Sequence, residues 1–430
     1  MAIEKNAWLT KDSNMKIYLI VFITVLSLGS NAQITAVPDD VFEQALIDQG
    51  IDSDGTLNDT VLTSDLEAVT ELLIFSPTSS IQDMTGIEAF VNLESLELLE
   101  HDFNSLNISN SVNLTFLNIS TVFNLTSIDV SSNINLTHLF ISETSLSSIN
   151  LSNNIDLQFL ELSQNRLSEI DITNNTELIE VDFSNYNFDT LPGNIFTTVD
   201  LSNNQLLTKF SCFHCDDLSS LDVTPLPDLR ELHVAFCNLE TIDVSTNIFL
   251  EEITLGAGFN SFFENSNELE SVDLSQNPNL TRVNVTNTLI SSFNLNNENN
   301  ESIISMKAGD NPDLNCILVD DEDQAASGTG NYANWIYDEE VTSFSDTECV
   351  LSVPEKRLQE LQVYPNPVTN RLFVQSNQPL QHLAVYNLRG QLLRQSEQSQ
   401  FINVSSLASG LYIVKLTTLE GIRHVQFIKE

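Results

Sequence analysis

The sequence predicts a mainly β protein: a solenoid of about ten short stacked coils, capped at both ends and followed by a small separate β-sandwich. Three observations carry this prediction. An apolar unit recurs along the middle of the chain. Within each unit the apolar residues alternate with polar ones, the period of a strand with one face inward. Charge also breaks sharply near residue 350: residues 33–350 hold 5 Lys/Arg against 53 Asp/Glu, whereas residues 351–430 hold eight against five.

Aligned on their first apolar residue, the units begin at Leu93, Leu114, Leu136, Leu157, Leu178, Leu207, Leu229, Leu250, Leu280 and Ile303. Most spacings are 21–23 residues; the two longer ones, 29 and 30, fit loop insertions at residues 192–198 and 259–268. A single coil cannot bury its apolar edge, so neighbouring coils stack and share one core. The clearest unit, residues 157–177, reads L-x-x-L-x-L-x-x-N-x-L and then x-x-I-x-I-x-x-N. An Asn at a tight bend satisfies nearby backbone groups and tolerates unusual backbone angles.

This pattern resembles the leucine-rich repeat, in the short Asn-rich form of secreted Bacteroidetes proteins. The ninth position of the unit, which the family fills with a buried Asn or Cys ladder, is Thr144, Asn165, Cys215, Cys237 and Asn311 among others. Cys215 and Cys237 are expected on adjacent coils about 5 Å apart, as buried structural thiols, with a disulfide between them an alternative. Residues 36–55 suit a helix, with Val41, Phe42, Ala45 and Leu46 at helical spacing, and with residues 85–90 resemble the N-terminal cap of the same proteins. Residues 311–321, Trp335 and Cys349 resemble their C-terminal cap. In that cap a Cys316–Cys349 disulfide is expected, stabilising by about 3 kcal/mol on a loop-entropy argument. Five cysteines leave at least one unpaired within the chain.

The tail, residues 361–430, alternates apolar and polar residues between tight turns, as a small β-sandwich does. It carries Tyr364-Pro365-Asn366-Pro367, then Gly390 within residues 383–393, Gly410 and Tyr412 within residues 405–416, and Lys429 in the final stretch. These motifs, in this order, resemble the type A C-terminal sorting domain of the type IX secretion system. The resemblance implies that secretion machinery as a partner, transport across the outer membrane, and surface attachment or release. Residues 351–360 are the expected linker. At the other end, an apolar run over residues 17–28 after Lys16, with small residues at 30–32, reads as a signal peptide. Met15 would make a natural start. No later segment is long and apolar enough to span a membrane.

A net charge of −44 excludes general phosphate or nucleic-acid binding. The six histidines are scattered and no nucleophile, zinc or phosphate-loop motif is present, so no enzyme activity is expected. The register instead predicts two surfaces. On the first strand of each coil the third and fifth positions face out, which gathers Phe116, His138, Phe140 and Phe159 over three coils, bordered by Glu161, Glu180 and Asp182. Apolar rings on a polar face mark a candidate site for a protein or glycan ligand. In the second half of each coil, Asp171, Asp200, Asp222, Asp243 and Asp273 share one column. Flanking Ser and Thr hydroxyls offset their repulsion, or a calcium ion does; no other cofactor is implied. Residues 52–58 resemble a truncated calcium loop without its full pattern, for which a capped turn is the simpler expectation. The function expected is recognition or adhesion at a cell surface. A structural, calcium-stabilised surface layer without a discrete ligand is the alternative.

Overall fold

The computed structural model describes residues 33–75, 78–186, 193–256, 267–338, 343–349, 362–375, 380–387, 391–397, 399–418 and 421–430. The expected signal peptide at 1–32, the expected linker at 351–360, most of the expected insertion at 259–268 and Gly390 therefore lie outside the described residues. The fold is mainly β, and the chain divides into two compact units, residues 1–255 and 256–430.

In the first unit, strands follow one another in parallel and in register, each a coil further on: Glu71–Phe75, Ser95–Leu99, Phe116–Val122, His138–Thr144, Phe159–Glu161, Glu180–Asp182, Lys209–Ser211, Glu231–His233 and Glu252–Thr254. The alternation sets the register. Leu96, Leu117, Leu139, Leu160, Val181, Phe210, Leu232 and Ile253 point inward and are buried, while their strand neighbours, apart from the buried Ser211, are partly or fully exposed. A fully buried leucine contributes about 1.5–3 kcal/mol, so a one-residue slip, which would expose the whole row, is strongly disfavoured.

Six coils of this unit leave their strand through a left-handed residue at the eighth position: Glu100, Thr121, Glu143, Gln164, His214 and Phe236 have φ between 51° and 63°. The ninth position then points inward. Asn165 donates through Nδ2 to Ile141 O at 2.7 Å and Leu162 O at 3.0 Å. The Asn of the ladder therefore satisfies the bend, while its predecessor adopts the unusual angle. A second ladder, of asparagines, runs three residues before Leu136, Leu157, Leu178 and Leu207. Asn154 Nδ2 bonds Val130 O and Asn133 O of the preceding coil, and Asn133, Asn175 and Asn204 repeat the pattern.

Two sequence expectations change here. The 192–198 insertion is displaced toward the N-terminus: Asn194 fills the ladder place with bonds to Leu162 O and Phe183 O, and Thr198–Val199 is already a strand paired with Ser220–Leu221. The surplus chain therefore precedes Asn194. The cysteines differ as well. Cys212 and Cys215 form a disulfide, and Cys237 is the buried free thiol. Cys212, just past the strand, and Cys215, just past the bend, are both buried, so one coil brings both sulfurs together. Cys237 donates to Cys212 O, and burial pushes its thiol up to about 12.

The N-terminal cap opens with strand Ile34–Ala36, antiparallel to Thr60–Leu62. Its helix is shorter than residues 36–55: it runs Asp40–Asp48, because the Asp39 carboxylate accepts from the N–H of Val41 and Phe42 and fixes the start. Phe42 and Leu46 are buried, and Phe42 stacks on Phe90.

In the second unit, Arg282–Asn284, Ser305–Ala308 and Ile336–Tyr337 continue parallel pairing, and Ser271–Asp273, Ser292–Asn294, Cys316–Leu318 and Ser343–Ser345 form the sheet of the second half-coils. Gly256 meets this region at close range: a Cβ there would lie 2.2 Å from Thr286 N. Trp335 closes the last coil with its Nε1 on Ile303 O, and the Cys316–Cys349 disulfide is formed. The tail is a sandwich of a three-stranded sheet (Gln362–Tyr364, Arg371–Gln375, Phe401–Asn403) and a four-stranded one (His382–Tyr386, Leu392–Glu397, Gly410–Thr418, Gly421–Lys429). Leu372, Leu383, Val414 and Phe427 lie in its core.

Candidate functional site

The predicted aromatic group assembles on the solvent face of the parallel sheet. In register, Phe116 lies beside His138 and His138 beside Phe159, while Phe140 stands beside Asn118 and Glu161. The rings touch. Phe116 and Phe140 meet edge-on with centroids 5.6 Å apart, Phe116 and His138 are 5.7 Å apart, and His138 stacks on Phe159 at 4.6 Å. All four side chains are half-buried against one another. Edge-to-face and offset stacking are the favourable arrangements for such rings.

Burial lowers the pKa of His138, so the imidazole is neutral near pH 7 and belongs to the apolar group; its Nδ1 pairs with Thr137 Oγ1 at 2.9 Å. The rim is acidic. Glu161 sits beside Phe140 and accepts from Ser163 Oγ at 2.7 Å. Burial raises its pKa; the Ser163 bond opposes this, and the Asp182 charge adds to it. Asp182 accepts from Tyr186 OH at 2.6 Å, and Glu180 lies in register with Phe159. Tyr186 is a member that sequence reasoning missed: it holds the ninth position, which the repeat assigns to the interior. Because Asn194 takes the ladder place, Tyr186 stays outside, more than half exposed. The ring therefore extends the patch toward its acidic edge.

The aspartate column is a series of capped turns. Asp171, Asp200, Asp222, Asp243 and Asp273 are exposed, and each accepts through Oδ1 the N–H two residues on, at 2.9–3.0 Å. Hydroxyl and backbone bonds from Thr173, Ser202 and Ser245 lower the pKa values of Asp171, Asp200 and Asp243. These hydrogen bonds go to Oδ1 of each carboxylate.

In the tail, Asn366 explains part of the motif chemistry. Its Oδ1 accepts the Ile428 N–H at 2.8 Å and its Nδ2 donates to Gln426 O, which ties the Tyr364–Pro367 segment to the last strand. Both X-Pro bonds of that segment, before Pro365 and Pro367, are cis. Gly410 pairs with Lys429, and Tyr412 stacks on Phe427 while its hydroxyl bonds Ala408 O.

Among the described residues no helix is long and apolar enough to cross a membrane. Residues 362–430 match the model of the secretion system C-terminal sorting domain. The crystal structure of an internalin, InlF, from Listeria monocytogenes is similar, with a TM-score of 0.50 at 19% identity over 74% of this chain and 96% of that one. The functional domain of InlJ from Listeria monocytogenes, which includes a cysteine ladder, gives 0.41 at 18% identity over 93% and 99%. Internalin C2 of the same organism gives 0.42 at 22% over 51% and 96%. No curated protein sequence matches the chain. At this identity the likeness to InlF shows the fold alone, a leucine-rich-repeat solenoid. The tail is a sorting domain of the type IX secretion system, and it marks the chain for export.

Proposed function

We propose that this protein is a recognition module of a bacterial cell surface, exported through its tail and then displayed or released, which captures a protein or glycan ligand on the sheet face around Phe140 and Phe159. The observation that carries this reading is the contact cluster of Phe116, His138, Phe140 and Phe159, half-exposed beside the acidic Glu161, Glu180 and Asp182 of the sheet face. Exposed rings held rigid by one another lose little entropy on binding. They suit a sugar face or an apolar side chain, and the carboxylates of Glu161 and Asp182 beside them accept hydrogen bonds from hydroxyl or cationic groups. An acidic body turns away polyanions, so the ligand is neutral or basic.

In this reading residues 1–32 direct the first export step, residues 33–92 and 311–350 cap the repeats of 93–310, residues 351–360 link them to the tail, and the tail engages the secretion machinery. The test starts with the full chain on a glycan array and on immobilised surface proteins. Hydrogen exchange with the best binder should then slow amides within residues 116–122, 138–144 and 159–161. Protection confined to other coils would contradict the site.

A further inference from the structure

The aromatic face carries a charge imbalance that its rings do not account for. Phe140, Glu161 and Asp182 stand in register on three successive strands. Neighbouring strands lie about 5 Å apart, so Glu161 has the Phe140 ring on one side and a second carboxylate on the other. Only one oxygen of Glu161 is engaged. Its Oε1 accepts from Ser163 Oγ at 2.7 Å, and among the described residues no donor reaches Oε2. Burial, with the Asp182 charge, holds the Glu161 carboxyl above its ordinary range, as befits an anion without a counter-charge.

The chain has little to supply one. Residues 33–350 contain 5 Lys/Arg. One of them, Lys209, stands on this sheet in register with Glu180, but its ammonium lies 3.2 Å from Glu231 on the next strand. Among the described residues no ion pair reaches Glu161 or Asp182. The same unit shows how a ring and a carboxylate together are filled elsewhere. The Arg230 guanidinium lies 5.9 Å from the centroid of the Phe249 ring and pairs through Nη1 with Glu251. A ring face attracts a cation, and a planar guanidinium can stack on it while bonding a carboxylate. At Phe140 and Glu161 the ring and the carboxylate are present, and the arginine is not.

We propose that the occupant of this face is an arginine side chain presented by a basic protein segment, its guanidinium over Phe140 and bonded to Glu161 Oε2, with Asp182 beside it. The inference rests on the reading of this face as a binding surface and narrows its ligand to a cationic protein. A sugar hydroxyl can donate to Glu161 but leaves both negative charges in place; a guanidinium donates and neutralises. The acidic body also steers a basic partner toward the face and repels an acidic one.

The experiment is fluorescence anisotropy of the full chain in about 0.15 M NaCl, with a labelled octapeptide of alternating arginine and glycine. The control peptide carries citrulline, the uncharged isostere, in place of arginine. The arginine peptide is expected to bind at least about tenfold more tightly than the citrulline one. Glu161→Gln, which keeps an acceptor for Ser163, and Phe140→Ala should each weaken it about fivefold or more, with a Tm near that of the parent. Asp243→Asn removes the same charge from the exposed column of the second half-coils and should change binding less than about twofold. The proposal is overturned if neither peptide binds, if citrulline serves as well as arginine, or if Asp243→Asn weakens binding as much as Glu161→Gln, since the attraction is then diffuse. These failures differ from failure of the face itself. A chain that ignores the arginine peptide but holds an array glycan in a Phe140-dependent way keeps its recognition face and loses the cationic ligand. A chain whose array binder is indifferent to both Phe140→Ala and Phe159→Ala loses the face.

Discussion

His138 lies against Phe159 with ring centroids 4.6 Å apart, and the contact has a measurable electrostatic signature. Burial holds its pKa below the ordinary histidine value, near 6.5 in model peptides. As pH falls, the unfolded chain takes up this proton before the folded one. The ring's contribution to stability is thus fully present above about pH 6.5 and erodes below it. Phe159→Ala opens the ring to water, so its pKa rises toward the ordinary histidine value; an NMR titration of the imidazole should show the shift, and an unchanged midpoint would mean that Phe159 does not shield it. A second residue-scale prediction concerns the bends. Thr121 is β-branched yet has φ of 59°, a conformation that costs an L-residue about 1–2 kcal/mol. Thr121→Gly removes that cost and adds about 0.5–1 kcal/mol of backbone entropy loss. The net expectation is stabilisation by about 0.5–1 kcal/mol in urea unfolding, whereas loss of stability would show that the Thr121 side chain matters more than the angle.

At the scale of the coil, side-chain amides carry much of the stacking. Asn154 donates to two buried carbonyls of the preceding coil, at 3.1 and 2.9 Å. Asn154→Ala leaves both acceptors dry and is expected to cost about 2–4 kcal/mol, read as a lower denaturant midpoint; a cost below about 1 kcal/mol would mean that water replaces the amide. This scale also shows what the sequence could and could not reveal. The strand register was legible because alternation is strict: every outward residue of the Phe116 to Glu252 row fell where the pattern put it. The left-handed bends were not, since Glu100, Thr121, Glu143 and Gln164 carry no glycine signal there; the neighbouring turns and inter-coil bonds impose the angle. The position of Tyr186 was hidden for a related reason. An insertion moved the ladder role to Asn194, and no local feature of the sequence says which of two asparagine-rich stretches will go inside. The Cys212–Cys215 pairing was likewise invisible to a reading that compared cysteines between coils rather than within one.

At the scale of the whole molecule, charge and address are separated along the chain. The acidic residues concentrate in residues 33–350, at 53 against 5 basic ones, while the sorting tail is mildly basic. Part of this acidity is structural: the five exposed aspartates of the column from Asp171 to Asp273 each cap a turn. Asp171, Asp200 and Asp243 have lowered pKa values, so their contribution is fully present above the ordinary carboxylate value and is lost as pH falls through the lowered one. The Tm of the full chain should therefore fall on acidification toward pH 3, and Asp171→Asn, which retains a turn acceptor, should soften that decline; an identical acid limb would remove the column from the account. The tail marks the chain for export, and the sheet face is the binding surface proposed above. The most direct test is the affinity of the full chain for its array-selected ligand, compared with that of the Phe140→Ala, Phe159→Ala double variant. Binding at least tenfold weaker with the Tm within about 5 °C of the parent is the expected result, consistent with two ring anchors each contributing more than about 1 kcal/mol. Unchanged affinity in a folded double variant would contradict the assignment of this face as the binding surface.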